Sequence, residues 1–428
     1  MDPRSMPPSS FRRTWNTIRV GFFLANRQML ANKGTSILIV VVMILTYLNL
    51  LMVSGLLVGI VDGLRQERRD HYTGDIMIVQ HDRKNAILNS PDTISYLKTL
   101  PLITSFSPRY KTTGIIEGNY AEKITEQDTP DVIISTFIGI DPTAEDATTG
   151  LSHLIVEGEY LRPTDYNQIL IGTSLLARYK TLTALPGTIP IPKVGVGDKV
   201  RIMLNGIERE MTVKGIVASK LEEINLSAYM VDAQLRAMLG RTNRGVNEIA
   251  VRVAPGASAP TIRDQLKRSP IGNNGLILYG RDSEPSFFQD FASTFGQLGT
   301  ILGSTGLVIS FIAVFILVFI NTVTHRRSIG ILQAIGVRPG GIEIGYVAQS
   351  SLFSSLGAVI GIALNFMLIE PYFVAHPIDF PFSNGILSVS ITEAWVKALV
   401  LYIAIMCASI VPARMIMRQE IVDAILGR

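Results

Sequence analysis

The residues best suited to do chemistry lie in one short run, His325-Arg326-Arg327-Ser328-Ile329-Gly330-Ile331-Leu332-Gln333-Ala334-Ile335-Gly336-Val337, between two long uncharged segments. That chemistry is non-covalent. The adjacent guanidinium groups suit acidic side chains or anionic lipid. The apolar, glycine-punctuated half that follows suits a compact connector at a water interface. Covalent and metal chemistry have no comparable foothold. The histidines (His71, His81, His153, His325 and His376) are scattered without metal-ligand spacing. No Gly-x-Ser-x-Gly elbow occurs. Gly303-Ser304-Thr305-Gly306 falls in an apolar run, where Ser and Thr hydrogen-bond between helices. No Gly-x-x-x-x-Gly-Lys-Ser/Thr loop occurs, so these residues carry no recognisable means of binding and hydrolysing ATP. The expectation is a protein without a catalytic, metal or cofactor site of its own.

The elements that must position this run are membrane spans. Apolar residues make up 47% of the chain and are unevenly spread. Gly34–Val61, Phe291–Thr324 and Ile344–Ile369 carry no charge, and each exceeds the roughly 20 residues that cross a hydrocarbon core. Ala398–Ala413 is shorter, but Lys397 can extend its ammonium to the interface and Trp395 suits the interfacial belt. Asp62-Gly63-Leu64-Arg65 is no small-residue cleavage site, so the first span reads as an uncleaved anchor. Basic residues cluster before the first span (Arg4, Arg12, Arg13, Arg19, Arg27, Lys33), around the short loop (Arg326, Arg327, Arg338) and in the tail (Arg414, Arg418, Arg428). By the positive-inside rule both termini and the loop are expected in the cytoplasm. Arg65, Arg68 and Arg69 oppose that pattern. They follow the first span on the outer side, interleaved with Asp62, Glu67 and Asp70, and a large following domain translocates despite local charge.

The expected fold class is therefore an α-helical membrane protein with four transmembrane helices and a large extracytoplasmic α+β domain inserted between helices 1 and 2. In residue numbers, 1–33 form a cytoplasmic segment with an amphipathic helix whose apolar stripe is Phe11, Trp15, Ile18, Phe22, Ala25 and Met29. The first span covers 34–62, the extracytoplasmic domain 63–290, and the second span with its stalk 291–324. The cytoplasmic loop covers 325–343, the third span 344–369, an extracytoplasmic loop 370–393, the fourth span 394–413 and the tail 414–428. The net charge of +4 belongs to the cytoplasmic segments, where it sets topology, and is no nucleic-acid footprint. The lone Cys407 excludes an intrachain disulfide.

Within 63–290 the pattern changes to short strand-like runs bounded by turn residues, among them Asp75–Gln80, Val132–Ile138 and Gln168–Ile171. Lys199–Leu204 and Glu208–Val217 flank Asn205-Gly206, a hairpin signal because both residues tolerate positive φ. Ser90–Leu100, Gly172–Tyr179 and Ala259–Arg268 read as helices, and the proline-rich stretch 181–196 as irregular loop. The mixture indicates an α+β domain, with room for two subdomains. Gly55-x-x-x-Gly59, Gly299-x-x-x-Gly303 and Gly357-x-x-x-Gly361 are small-residue faces that suit close helix packing, within the chain or between copies.

The run at 325–337 resembles the Arg-Arg-x-Ile-Gly-x-Leu-x-Ala-x-Gly element of the MacB/FtsX/LolC-E family of ABC transporter permeases, the type VII or mechanotransmission class. Weaker matches follow in order: Gly139-Ile140-Asp141-Pro142, Glu157-Gly158-Glu159-Tyr160-Leu161, Leu170–Ala177, Val196–Val200, Thr212–Ile216, Pro412-Ala413-Arg414 and Ile421–Ile425. The resemblance implies a MacB-like periplasmic core domain at 63–290, an FtsX-like permease domain at 300–420, and an inner-membrane location. It implies that Arg326, Arg327, Ile329, Gly330, Ile331, Leu332, Ala334, Ile335 and Gly336 form the ATPase-coupling surface. The partners it implies are an ABC ATPase subunit, which binds the ATP, and a second permease copy or paralogue. A periplasmic adaptor or chaperone is a further partner within its scope, and membrane lipid is the medium. Ser328 stands where the family usually has Glu, which removes one charge from that contact. The implied activity is export or extraction of a lipoprotein, lipid, peptide or hydrophobic compound. The alternative is a membrane signalling or scaffold protein that regulates a cell-envelope partner without transport.

Overall fold

A computed structural model describes residues 19, 21–23, 25–27, 29–31, 33–80, 86–118, 120, 131–179, 189–284, 286–324, 331, 334–335, 337, 339–380 and 383–417. The helices are α1 (Lys33–Arg68), α2 (Ser90–Leu97), α3 (Pro142–Thr149), α4 (Glu222–Asn225), α5 (Asp232–Met238), α6 (Ala259–Arg268), α7 (Ser286–Thr324), α8 (Pro339–Leu364), α9 (Glu370–Ala375) and α10 (Ile391–Met417). The strands are β1 (Ile76–Val79), β2 (Ile103–Glu117), β3 (Val132–Ile140), β4 (Ile155–Gly158), β5 (Gln168–Gly172), β6 (Lys199–Leu204), β7 (Ile207–Val217), β8 (Ser227–Val231), β9 (Glu248–Val253), β10 (Leu276–Leu278), β11 (Ile378–Phe380) and β12 (Ser383–Gly385). They fall into two compact units. A helical unit holds residues 1–60, 292–378 and 385–428, and a globular unit holds 61–291 with Asp379–Asn384.

In the helical unit four helices are long and apolar enough to cross a membrane. Their closest approaches occur at glycines. A Cβ on Gly357 would stand 2.5 Å from the Met43 side chain, and one on Gly361 2.6 Å from the Tyr47 ring. A Cβ on Gly59 would stand 1.6 Å from the Ile386 carbonyl oxygen. These small faces therefore serve packing within the chain. Gly303 differs, because nothing lies within 4 Å of its Cβ position. Tyr47 also donates its hydroxyl to the Ala394 carbonyl oxygen at 2.6 Å, joining α1 to α10. Glu393 pairs with Lys397 on α10, and Lys397 also donates to the Ser54 hydroxyl. Of the N-terminal stripe, Ala25 is buried and Phe22 exposed, while Phe11, Trp15 and Ile18 lie outside the described residues.

In the globular unit the expected α+β mixture resolves into two sheet regions that share β2. The C-terminal half of β2 joins β3 and β6, and the succession β2-β3-β8-β5-β7-β6-β2 returns to its start, closing a six-stranded barrel. Its interior is apolar, with Ile116, Phe137, Ile169, Ile171, Val200, Ile202, Val213 and Ile216 fully buried. Alternate residues of a barrel strand face inward, as in β6, whose Val200, Ile202 and Leu204 are buried between more exposed neighbours. The N-terminal half of β2 instead joins the four-stranded order β10-β1-β9-β2. One face of that sheet is covered by Leu97 of α2 and by Ala259, Ile262 and Leu266 of α6. Asn205 and Gly206 turn the β6–β7 hairpin with φ of 47° and 81°, as expected for a tight two-residue turn.

One expected helix is corrected. Gly172–Tyr179 does not form an α-helix: β5 ends at Gly172 and only Thr173–Leu175 makes a 3-10 turn. The backbone there pairs sideways with residue 191, since Ile191 N–H donates to the Leu175 carbonyl and Ala177 N–H to the Ile191 carbonyl. A tertiary partner far along the chain overrode the local preference. Helix α2 is also shorter than expected, ending at Leu97.

Candidate functional site

At the expected coupling surface, Ile331, Ala334 and Ile335 are exposed, and Ile335 N–H donates to the Ile331 carbonyl at 3.1 Å. Ile335 is 72% exposed, a high value for a large apolar side chain. Arg326, Arg327, Ile329, Gly330, Leu332 and Gly336 lie outside the described residues. Just beyond this segment, Arg414 on α10 donates to Glu343 on α8 at 2.7 Å.

A second charged site, inside the globular unit, starts at the last turns of α1. Asp62 is the first charge after the uncharged run, and Arg65, Arg68 and Arg69 follow on the helix and its continuation. Spacings of three and four place Arg65, Arg68 and Arg69 on neighbouring positions of the helix surface. Each finds a different acid. Arg65 Nε donates to Glu284 at 2.7 Å, with Asp62 at 3.2 Å from Nη1. Arg68 pairs with Glu223. Arg69 Nη2 lies 2.5 Å from Asp75, whose second oxygen accepts the Val253 N–H at 2.9 Å. The basic cluster that opposed the positive-inside pattern is thus neutralised mainly by residues distant in sequence. The local interleaving expected from the sequence supplies Asp62 to Arg65 and a weaker attraction of Asp70 for Arg69.

Beyond Arg68 the helix widens into a π-helical turn, Arg69–Thr73, which carries Tyr72 into a buried ion network. π-turns of this kind concentrate at functional positions. Three cations surround the Tyr72 ring: Arg109 at 4.9 Å from its centre, Lys111 at 5.0 Å and Arg68 at 5.1 Å. Arg109 makes a two-pronged pair with Glu145, at 2.8 Å from Nε and 2.5 Å from Nη2, and reaches Glu248 at 3.2 Å. Lys111 holds the other Glu248 oxygen at 2.8 Å. Ser107 and Thr149 donate to Glu145 at 2.6 and 2.7 Å, so its remaining lone pairs are used. Burial alone would raise the Glu248 carboxyl, but Lys111 and Arg109 outweigh it and hold the group below its ordinary range. For Lys111 burial opposes the charge, yet Glu248 holds the ammonium above its ordinary value. A buried network of this completeness anchors the α1 terminus in one geometry.

A cavity of about 440 Å³ opens beside this collar, lined by Arg65, Arg68, Arg69, Asp75, Tyr279 and Glu284 among others. Its cations face acids already paired with them, so the lining offers an ionic ligand no net charge. Among the described residues no group of three or more His, Cys, Asp or Glu could hold a metal ion.

None of Arg109, Glu145, Glu223 and Glu248 is singled out by any motif. Their partners are far apart in sequence, and the only signal pointing to them was the unexplained arginine cluster after the first span.

Residues 51–269 match the family model of the MacB-like periplasmic core domain, and residues 300–421 match that of the FtsX-like permease C-terminal domain. The macrolide export ATP-binding/permease protein MacB of Bdellovibrio bacteriovorus is 23% identical over 226 residues, covering 46% of this chain and 34% of that protein. The match therefore spans about a third of that relative's length. Among solved structures, the periplasmic region of MacB from Actinobacillus actinomycetemcomitans aligns at 16% identity, covering 50% of this chain and 92% of that one with a TM-score of 0.35. The extracellular domain of the noncanonic ABC-type transporter YknZ from Gram-positive bacteria aligns at 15% identity, covering 45% and 85%, with a TM-score of 0.27. With one family model covering half of the chain and a second covering its C-terminal helices, the protein belongs to the MacB/FtsX family of ABC transporter permeases.

Proposed function

We propose that this chain is the membrane subunit of an ABC transporter, and that a separate ATPase subunit supplies the power by gripping the surface around Ile331, Ala334, Ile335 and Gly336. Two permease chains, identical or paralogous, pair in the inner membrane with both termini in the cytoplasm and the globular unit outside. ATP-driven movement of the helices works the globular units mechanically. The cargo, a lipoprotein, lipid, peptide or hydrophobic compound, is extracted or exported on the extracytoplasmic side, with a periplasmic adaptor or chaperone able to receive it.

The observation that carries this reading is the end of α1. The helix runs without interruption from Lys33 to Arg68, about 54 Å at 1.5 Å per residue. Its last turns are tied by Arg65, Arg68, Arg69 and Tyr72 to the strands and loops of the globular unit. A rigid element anchored by a buried ion network transmits displacement, whereas a flexible tether would dissipate it. The absence of a phosphate-binding loop in these residues supports a separate source of ATP energy.

The test is purification of the tagged chain from its native membrane, followed by reconstitution in nanodiscs with whichever ATPase accompanies it. The reading expects stimulation of that ATPase by the chain and loss of stimulation when the exposed coupling residues are replaced. Recovery of a signalling protein or a cell-wall hydrolase in place of an ATPase would overturn it.

A further inference from the structure

Between β7 and β8 lies a short segment, Ser219–Ser227, that is built unlike an ordinary surface loop. Ile224 and Asn225 are buried. The Asn225 amide staples the segment in both directions: Oδ1 accepts the Ser219 N–H at 2.8 Å, and Nδ2 donates to the Ser219 carbonyl at 2.7 Å. Ser227 donates its hydroxyl to the Glu223 carbonyl at 2.6 Å, and Ser135 of β3 donates to the Leu226 carbonyl at 2.9 Å. The Asn225 carbonyl rests against Gly172 at the end of β5, where a Cβ would stand only 2.1 Å from it. The segment is therefore a rigid knuckle of the barrel.

Of its three charged residues, Lys220, Glu222 and Glu223, the first and last are opposite in sign, and each takes a different stretch of chain within the same compact unit. Glu223 pairs with Arg68, the last residue of α1. Lys220 pairs with Asp379 and donates also to the Ser383 carbonyl at 3.3 Å and to Asn384 Oδ1 at 2.6 Å. Asp379 belongs to β11, and Ser383 and Asn384 to β12, the two short paired strands that precede α10. The two arms are unequal. The side chains of the Arg68–Glu223 pair are 8% and 38% exposed, and those of the Lys220–Asp379 pair 21% and 87%, so the first pair is the more shielded. A shielded pair resists salt and competition from water, and an exposed pair is weak and easily released.

We propose that Ser219–Ser227 is a two-armed joint in which Glu223 is the fixed arm holding the end of α1 and Lys220 the releasable arm holding the β11 and β12 strands. Displacements of both segments then reach the barrel at one point. The inference rests on the mechanically driven reading given above. Lys220 and Glu223 are positioning residues: they touch no cargo and act through the segments they hold.

Hydrogen exchange of the full chain in nanodiscs tests the joint without ATPase or cargo. Lys220→Gln should raise exchange about threefold in the peptide covering 378–385 and leave 69–73 unchanged, the size of change expected from losing one exposed ion pair. Glu223→Gln should do the reverse. Asn225→Ala, which touches neither arm, should accelerate both, and Lys220→Glu with Asp379→Lys should restore the first. Raising the salt to 1 M should loosen the 378–385 arm alone. Protection of β2 and β3 at the wild-type level verifies folding, and Asn225→Ser is the milder variant if Asn225→Ala loses it. If Lys220→Gln and the staple variant leave both peptides at wild-type rates, the joint is refuted.

A merely structural clasp would pass those tests, so a second readout is added. With the ATPase bound, a non-hydrolysable ATP analogue should change exchange in β8 of the wild type, and Lys220→Gln should diminish that response severalfold while ATP hydrolysis continues. An undiminished response in the variant refutes the transmitting role. Absence of any ATPase partner sinks the transport reading instead, and the salt and exchange tests of the two arms still decide the joint.

Discussion

The guanidinium of Arg109 lies 4.9 Å from the centre of the Tyr72 ring, and the same guanidinium grips Glu145 with two nitrogens. Tyr72 belongs to the π-turn that ends the first long helix and Arg109 to the strand shared by the two sheets. The helix terminus is thus seated on a fully buried ion pair, which makes Arg109 a structural pivot of the globular unit.

Replacing Arg109 with Met should therefore destabilise that unit by about 3–5 kcal/mol, since it strands the Glu145 carboxylate in the interior and leaves Glu248 with Lys111 alone of its two cations. Thermal unfolding of the purified chain measures this. A change below about 1 kcal/mol would show that the carboxylates find other partners.

The same network fixes a pH window. Glu248 sits below its ordinary value in the folded chain, so its contribution is complete above about pH 4.3 and disappears as pH falls through the depressed folded value. Lys111 is raised, so its contribution is complete below about pH 10.4 and is lost only as pH rises past that into the folded value. Stability should be flat between these limits with respect to this pair. Unfolding temperatures from pH 7 to 3 should show an acid slope that Glu248→Gln reduces.

Glycine faces within the helical unit should respond unequally to bulk. Gly361→Leu forces a side chain into the Tyr47 ring, 2.6 Å from the first added carbon, and should cost about 1–3 kcal/mol through overpacking. Gly303→Leu meets nothing within 4 Å in the chain itself and should leave the monomer's thermal stability within about 0.5 kcal/mol. Equal losses in the two variants would contradict this assignment of the packing faces.

At the coupling surface, Gly336→Phe should separate ATP turnover from transport by at least about tenfold, equivalent to 1.4 kcal/mol of lost interaction, with expression unchanged. Paired measurements of hydrolysis and cargo movement in one nanodisc preparation check it, and normal coupling removes Gly336 from the interface.

The four apolar spans, the position of the large inserted domain and the family were all legible in the sequence, because hydrocarbon length and backbone satisfaction constrain composition directly. The hairpin at Asn205-Gly206 was legible for the same kind of reason, as positive φ at both positions selects few residues. The helix expected at Gly172–Tyr179 failed because residue 191 captured its backbone.

Sequence alone thus determined which segments can enter lipid and the strand-and-helix mixture between the first two of them. Tertiary structure decided the closure of the barrel through β2 and β6, and the partners of Arg65, Arg68 and Arg69. The physical reason is range. Hydropathy and turn preference act over a few neighbouring residues, whereas an ion pair such as Arg109 with Glu248 joins groups 139 positions apart that only folding brings within 3.2 Å.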